Sequence, residues 1–468
     1  MRSAEYGVRN KANITLILFV ISLMYLSCFR SCASANDTWN ASGRLDLRGV
    51  EALQKDSVNE EPGVSGLIKL DANSSLWKVH SWLEGGRDGA VREPVQDHSL
   101  FKNYDTVYQS NPYYLEFKEL YLGYSSPQLD LRAGIQRFAW GRLDEYPLND
   151  FLNPWDYSQF LVKPLEDRKI GVPSVYASMN TGDWTCDAVW VPVFVPYRLP
   201  QPYERWSGIS IASALSRIPD AEIVPAEPDL PDHRIENGNI GFRVRRSGNS
   251  EWALNLFNGY DARPVFKTTE LVINPQPGKV LIDPGYVPDF HRISVIGMDA
   301  AAIRGSLSLR LEAAYTFGRY FNIKRELWGY PSVTAPGVYP LNESEIKSDT
   351  LDYGIGADYR LFEDVTLIMQ AQQSMIMDRP ETLYERKVET ILWMNVKAGW
   401  LNQKLETNVS VAYNPEHGAW MGKVKAWYVF TDSWKAGITA IDLTGPSQSL
   451  FGRYSRNDQV EAELVFVW

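Results

Sequence analysis

The sequence predicts an all-β protein: a transmembrane, antiparallel, up-and-down β-barrel of about 18 strands, with about 16 as the second choice. Three observations predict it. Apolar and polar residues alternate along stretches long enough to cross a bilayer at a tilt. The connections between those stretches alternate between short and long. The last strand ends on an aromatic, Trp468, as bacterial outer-membrane barrels close at their interface girdle.

Composition sets the limits. The chain has 468 residues, 44% hydrophobic and 22% charged, with 16 Trp, 25 Tyr and 18 Phe, so it is neither disordered nor of low complexity. Its mean hydropathy is −0.28 and it holds a single long apolar run, which excludes a polytopic helical membrane protein. The net charge is −10, and −13 without residues 1–35 (43 basic against 56 acidic), which argues against nucleic acid as a partner.

The N-terminus reads as an export signal over 1–35, followed by the barrel over 36–468. Arg2, Arg9 and Lys11 precede an apolar run from Ile14 to Phe29, and Ala33-Ser34-Ala35 supplies the small residues a signal peptidase reads. A retained anchor fits less well because the run is short, and lipoprotein cleavage before Cys28 fits poorly because Tyr25 stands where a Leu is expected. Removal of 1–35 takes Cys28 and Cys32 with it and leaves Cys186 alone, so no internal disulfide is expected.

Candidate strands follow near 43–50, 64–71, 75–84, 113–125, 128–138, 172–180, 184–194, 238–247 and 250–259. They continue near 290–301, 305–318, 350–361, 364–376, 387–400, 403–414, 418–430, 433–443 and 458–468. In 307–317, Leu307, Leu309, Leu311, Ala313, Tyr315 and Phe317 share one face, while Ser308, Arg310, Glu312 and Thr316 share the other. In the closing strand Val460, Ala462, Leu464, Phe466 and Trp468 oppose Glu461 and Glu463. Alternation alone does not separate a soluble sandwich from an inverted membrane barrel. Segment length decides, since sandwich strands average about 5–6 residues. Aromatics near segment ends (Trp400, Tyr413, Trp420, Trp434) suit interface girdles.

Short connections fall at 71–75, 125–128, 180–183, 247–250, 361–364 and 400–403. Long ones fall at 85–112, 139–171, 195–237, 260–289 and 319–349. Short periplasmic turns and long extracellular loops give this rhythm. The break is 415–417, short where a long loop is due. Pro219, Pro225, Pro228, Pro231 and Pro275, Pro277, Pro284, Pro288 mark exposed loops, because Pro cannot donate to a strand ladder.

Three stretches carry a resemblance. They are Glu119 to Tyr124 with Leu129 to Gly141, then Asn149-Asp150-Phe151-Leu152-Asn153-Pro154-Trp155-Asp156, and Phe451-Gly452-Arg453-Tyr454 with Asn457-Asp458-Gln459-Val460. With these the chain resembles an uncharacterised, porin-like family of bacterial outer-membrane barrels known only as a domain of unknown function. The resemblance implies a bacterial outer-membrane location. It also implies, through genes that sit beside exporters of the resistance-nodulation type, a second function: transport of a hydrophobic or exported ligand. Loops 195–237 and 319–349 carry none of the likeness.

The leading functional expectation is a channel that lets small solutes cross passively, in a monomer or a homo-oligomer such as a trimer. Its partners would be outer-membrane lipid, the barrel assembly machinery acting through the C-terminal strand with its barrel-closing Trp468, and the solutes. Loop 139–171 is expected either to fold inward and narrow the lumen or to pack on the rim. If it folds inward, Arg142, Asp144, Glu145, Asp150 and Asp156 are the candidate constriction, because opposed charges at a narrow point set selectivity. Candidate lumen-lining charges are Arg132, Arg243, Arg245, Arg310, Glu312, Asp352, Asp358, Arg360, Lys423, Lys425, Glu461 and Glu463. The bland alternative is that these pair with one another and only stabilise the wall.

No catalytic, cofactor or metal site is expected. His80-Ser81 and His98-Ser99 are sequence neighbours, which point to opposite faces of a strand and so cannot form a Ser-His dyad. Gly354-Ile355-Gly356 sits inside an alternating strand, not before a helix, and fails as a dinucleotide loop. No two of His80, His98, His233, His291 and His417 lie at metal-ligand spacing, so a metal site would need distant loops to converge.

Overall fold

Eighteen strands close into one ring. Alternation places apolar side chains against the acyl tails and leaves the backbone to pair only with neighbouring strands, and a closed ring is the sheet that leaves no edge in lipid. The structure, a computed structural model, describes residues 38–53, 62–89, 106–110, 113–200, 205–207, 221–223, 228–232, 234–248, 250–268, 270–283, 286–323, 336–340, 345–383 and 385–468. The export signal read over 1–35, and His98-Ser99 and His233, lie outside the described residues.

The ring runs β1 (Thr38–Ala52), β2 (Gly63–Ser74), β3 (Trp77–Arg87), β4 (Tyr113–Ser125), β5 (Leu129–Gln136) and β6 (Val172–Thr181). It goes on through β7 (Trp184–Val191), β8 (Asn239–Arg246), β9 (Ser250–Tyr260), β10 (Arg292–Arg304), β11 (Leu307–Asn322) and β12 (Glu345–Phe362). It finishes with β13 (Val365–Ile376), β14 (Val388–Trp400), β15 (Leu405–Asn414), β16 (Ala419–Val429), β17 (Trp434–Thr444) and β18 (Gln459–Val467). Each strand pairs antiparallel with its sequence neighbours, and β18 pairs back onto β1 from Arg44 opposite Val467 to Ala52 opposite Gln459. Trp468 continues that seam, exchanging backbone hydrogen bonds with Gly43 at 3.0 and 3.1 Å.

All the expected strands are present, including the first two, so the ring counts eighteen, and the short strand Thr106–Ser110 adds beside the start of β4. Outward positions carry exposed apolar residues around the ring, among them Leu47, Leu254, Ile296, Leu311, Val424 and Ile438. Exposed Trp400, Tyr413, Trp434 and Trp468 stand at the short-turn end or near the loop end, where girdles belong. This is the face of a bacterial outer-membrane barrel.

The short connection 415–418 has a local cause. Gly418 has φ +61°, and the Asn414 carboxamide accepts the His417 N–H at 3.1 Å while the His417 ring meets Glu389 at 3.0 Å. A tight turn closes β15–β16 there in place of a long loop. Elsewhere the long connections build their own structure above the ring. Val265–Thr268 pairs with Tyr286–Asp289, and Glu270–Gln276 pairs with both Lys279–Asp283 and Gly337–Pro340.

Candidate functional site

The connection from β5 to β6, residues 137–171, enters the lumen. Asn153 holds its two ends together from a buried position. Its carbonyl oxygen accepts the Phe138 N–H at 2.6 Å, and its amide donates to the Gln136 and Ile170 carbonyls at 3.0 and 2.8 Å. With its ends fixed side by side, the segment between them projects inward.

The wall is shaped to receive it. Inward positions Gly241 on β8, Gly297 on β10, and Gly354 and Gly356 on β12 leave room for Trp140, Asn149 and Leu143 respectively, and an added Cβ at Gly297 would strike the Asn149 side chain. Glu312 of β11, almost wholly buried, accepts four backbone N–H groups of the loop. These come from Arg142, from Leu143 at 2.5 Å, from Leu148 at 2.7 Å and from Asn149 at 3.2 Å. The Gly-x-Gly of β12 is therefore a seat for a side chain.

Two apolar clusters fix the loop to two sectors of the wall. Phe138, Trp140, Leu152 and Ile170 pack on inward Val189, Val191, Phe257, Ile293 and Val295. Phe160, Leu161 and Val162 pack, with Trp206 of the next loop, on Trp393, Met421, Ile441 and Phe451. The lumen is thus not lined by polar residues throughout, as the simple binary reading of the strands expects. Where the loop replaces water, inward positions are apolar, because burying them against it is favourable by about 25 cal/mol per Å².

Among the expected constriction residues, Arg142 reaches the wall, with Nε to Asp299 at 2.5 Å and Nη1 to Glu251 at 2.8 Å. Glu251 is the second residue of β9, so the Arg142 side chain reaches down from the loop toward the periplasmic end. Asp144 takes Arg310 at 2.7 Å, and Arg310 also pairs with Asp358. Glu145 pairs with Arg168 at 2.5 Å, and Asp150 pairs with Lys169, both within the loop. Asp156 sits buried in the loop's root, taking Lys163 at 3.0 Å and Arg198 at 3.2 Å. Burial disfavours its charge, but Lys163, Arg198 and the Ser158 hydroxyl outweigh that and hold its carboxyl well below the usual range. At Asp150 burial wins over Lys169 and pushes the carboxyl up.

The expected lumen residues divide into two sets. Arg243 joins Arg142 on Asp299 at 3.0 Å and donates to the Trp140 carbonyl at 2.8 Å, so with Arg310, Glu312 and Asp358 it carries the loop. Lys423 donates to the Val162 carbonyl at 2.8 Å at the far end of the insertion. Asp352 meets Arg319 at 3.7 Å, and Arg245 meets Asp187 at 3.8 Å. The other set serves the wall itself. Arg132 pairs with Asp130 at 2.5 Å between the Tyr121 and Tyr176 rings. Lys425 meets Glu463 at 3.7 Å, and Glu461 takes Arg48 at 2.9 Å. Arg360 is exposed at the short-turn end of β12.

Sequence reasoning missed Asn153, Asp299, Arg198 and the seating glycines. The signal was present as Gly at inward positions of neighbouring strands, which is readable only once the strand register is known. A cavity of about 230 Å³ lies against the loop, lined by Tyr146, Phe151, Trp155, Tyr157, Tyr197 and Phe257 together with Asp150, Arg168, Arg319 and Asp352.

The model of one protein family matches residues 62–444, most of the chain; its description is protein of unknown function (DUF1302). The chain belongs to this family. No curated protein matches this DUF1302 barrel. Among solved structures it is similar to OccAB1 of Acinetobacter baumannii (TM-score 0.49, 7% identity, covering 92% of this chain and 96% of that one). It is also similar to a BenF-like porin from Pseudomonas fluorescens (0.48, 9%, 93% and 98%). The trimer form of OmpT from Vibrio cholerae is a further similar structure (0.43, 10%, 92% and 99%).

Proposed function

We propose that this DUF1302 barrel passes small polar solutes across the outer membrane by passive diffusion, along a path that loop 137–171 narrows to one side of the lumen. The observation that carries the reading is the unequal wall. Loop and apolar seats fill the lumen along β7–β15 and at the loop ends of β16 and β17, whereas six inward charges on β1–β3, β16 and β18 stay partly exposed inside the ring. Arg44 with Asp46, Lys78 with Asp71, and Lys425 with Glu463 keep side-chain exposures of 19–40%. Partly exposed opposed charges describe a wet wall, and charges at a narrow point set ion preference. On this reading Arg142, Asp144 and Glu145 border the narrowing, while Asp150 and Asp156 hold its frame. Export by a signal over 1–35 and recognition of Trp468 by the assembly machinery belong to the same proposal.

Single-channel recording in planar bilayers tests it. The wild type conducts, and Arg142→Ala and Asp144→Ala change conductance and ion preference. A wild type that never conducts, or two variants that match it, would overturn the reading. The aromatic cavity favours a second reading, the handling of an apolar ligand. Saturable quenching of Trp155 fluorescence by such a ligand, in a barrel that does not conduct, would select it.

A further inference from the structure

Three ligand-type side chains meet at the extracellular rim although the sequence spaces none of its histidines for a metal. Asp289 ends the short strand Tyr286–Asp289, His291 immediately precedes β10, and Glu345 begins β12. One carboxylate oxygen of each acid and one imidazole nitrogen lie within 4.8 Å of one another. His291 Nε2 stands 3.1 Å from Glu345 Oε2 and 3.8 Å from Asp289 Oδ2.

We propose that Asp289, His291 and Glu345 form a divalent transition-metal site, suited to Zn²⁺, with water as the fourth ligand. Tetrahedral zinc with bonds of about 2.0–2.1 Å sets adjacent ligand atoms about 3.3 Å apart. The two separations from His291 Nε2 bracket that value, and the two carboxylate oxygens, within 4.8 Å of each other, would close toward it on binding.

The donors are held in place by groups around them. The His291 ring stacks on Tyr320 of β11 with centroids 3.7 Å apart and planes at 17°, which fixes the direction of Nε2. Asp289 Oδ1 accepts the Phe290 N–H at 2.7 Å, leaving Oδ2 for a metal. Phe290, between the two ligands in sequence, is buried with Phe194 and fixes the Asp-x-His segment. Two carboxylates face one imidazole, so even a protonated His291 leaves the cluster negative, whereas a dication neutralises it. The bound ion would tie the end of loop 261–291 to the start of β12, strapping two extracellular connections together.

Calorimetric titration of Zn²⁺ into the tag-free, detergent-solubilised barrel, freed of metal beforehand, tests the site. The expected result is one saturable ion per chain, with affinity at least tenfold weaker in His291→Ala and in Glu345→Gln. Co²⁺ in place of Zn²⁺ should give the strong visible absorption of a tetrahedral centre in the wild type alone. Heat-modifiable migration on gels checks that both variants are folded. No saturable binding, equal binding in wild type and variants, or displacement of Zn²⁺ by equimolar Ca²⁺ would overturn the assignment. None of these readouts depends on conduction.

Discussion

Glu312→Ala removes the acceptor that holds the inserted loop at mid-wall. The carboxylate takes four backbone N–H groups, two at each oxygen, from Arg142, Leu143, Leu148 and Asn149. A hydrogen bond to a charged group contributes about 1.5–3 kcal/mol net. Four donors on one anion are not additive, so one full bond per oxygen is the safer count, or about 3–6 kcal/mol. Even the lower figure raises the undocked fraction of segment 141–149 by about 100-fold. Glu312→Gln keeps the size and one good acceptor, and should fall between. Planar-bilayer recording should show larger and noisier conductance for Glu312→Ala, intermediate behaviour for Glu312→Gln, and normal heat-modifiability for both. A folded Glu312→Ala barrel whose traces superimpose on the wild type would refute the docking argument.

Other perturbations address other parts. Gly297→Val places a side chain where Asn149 sits, so it should raise conductance as Glu312→Ala does while leaving the ring intact; unchanged conductance would refute the seating role. Leu254→Lys puts a charge on the lipid face at a position 51% exposed, and should cost about 2–4 kcal/mol near the midplane in denaturant titrations of barrels folded into bilayers; no measurable loss would deny that this face meets acyl chains. Asp156 supplies the pH test. Its carboxyl lies below the usual range, so its contribution to loop anchoring is present above the unfolded value and is lost only as pH falls through the lowered one. Asp156→Asn should therefore be noisier than the wild type by a constant margin from neutral pH down to about pH 4, where an ordinary aspartate is half protonated, and that margin should close only below it. A margin already lost near about pH 5 would contradict the Lys163 and Arg198 pairing.

Strand order and loop rhythm were legible because a membrane wall enforces a period of two on every strand. Leu309 and Leu311 opposite Arg310 and Glu312 need no tertiary knowledge to interpret. The inward Phe257, Ile293 and Val295 were not legible as lumen residues, since their partner is a loop more than 80 residues away in sequence. The same holds for the constriction candidates. Arg142 and Asp144 could be picked as charges in a long loop, but their partners Asp299 and Arg310 follow only from register and insertion depth. Asp289-Phe290-His291 carried a local hint, two ligands at i and i+2 of extended chain, yet the third donor comes from β12.

The insertion also orders events in time. Val162 is held by Lys423, 261 residues later in the chain, and Gln159 is held by Arg48, 111 residues earlier. Phe160, Leu161 and Val162 therefore stay uncovered until the last third of the polypeptide has taken its place. Contacts so distant slow maturation and lengthen exposure to aggregation. Docking of the insert therefore draws on strands from both ends of the chain, β1 through Arg48 and β16 through Lys423.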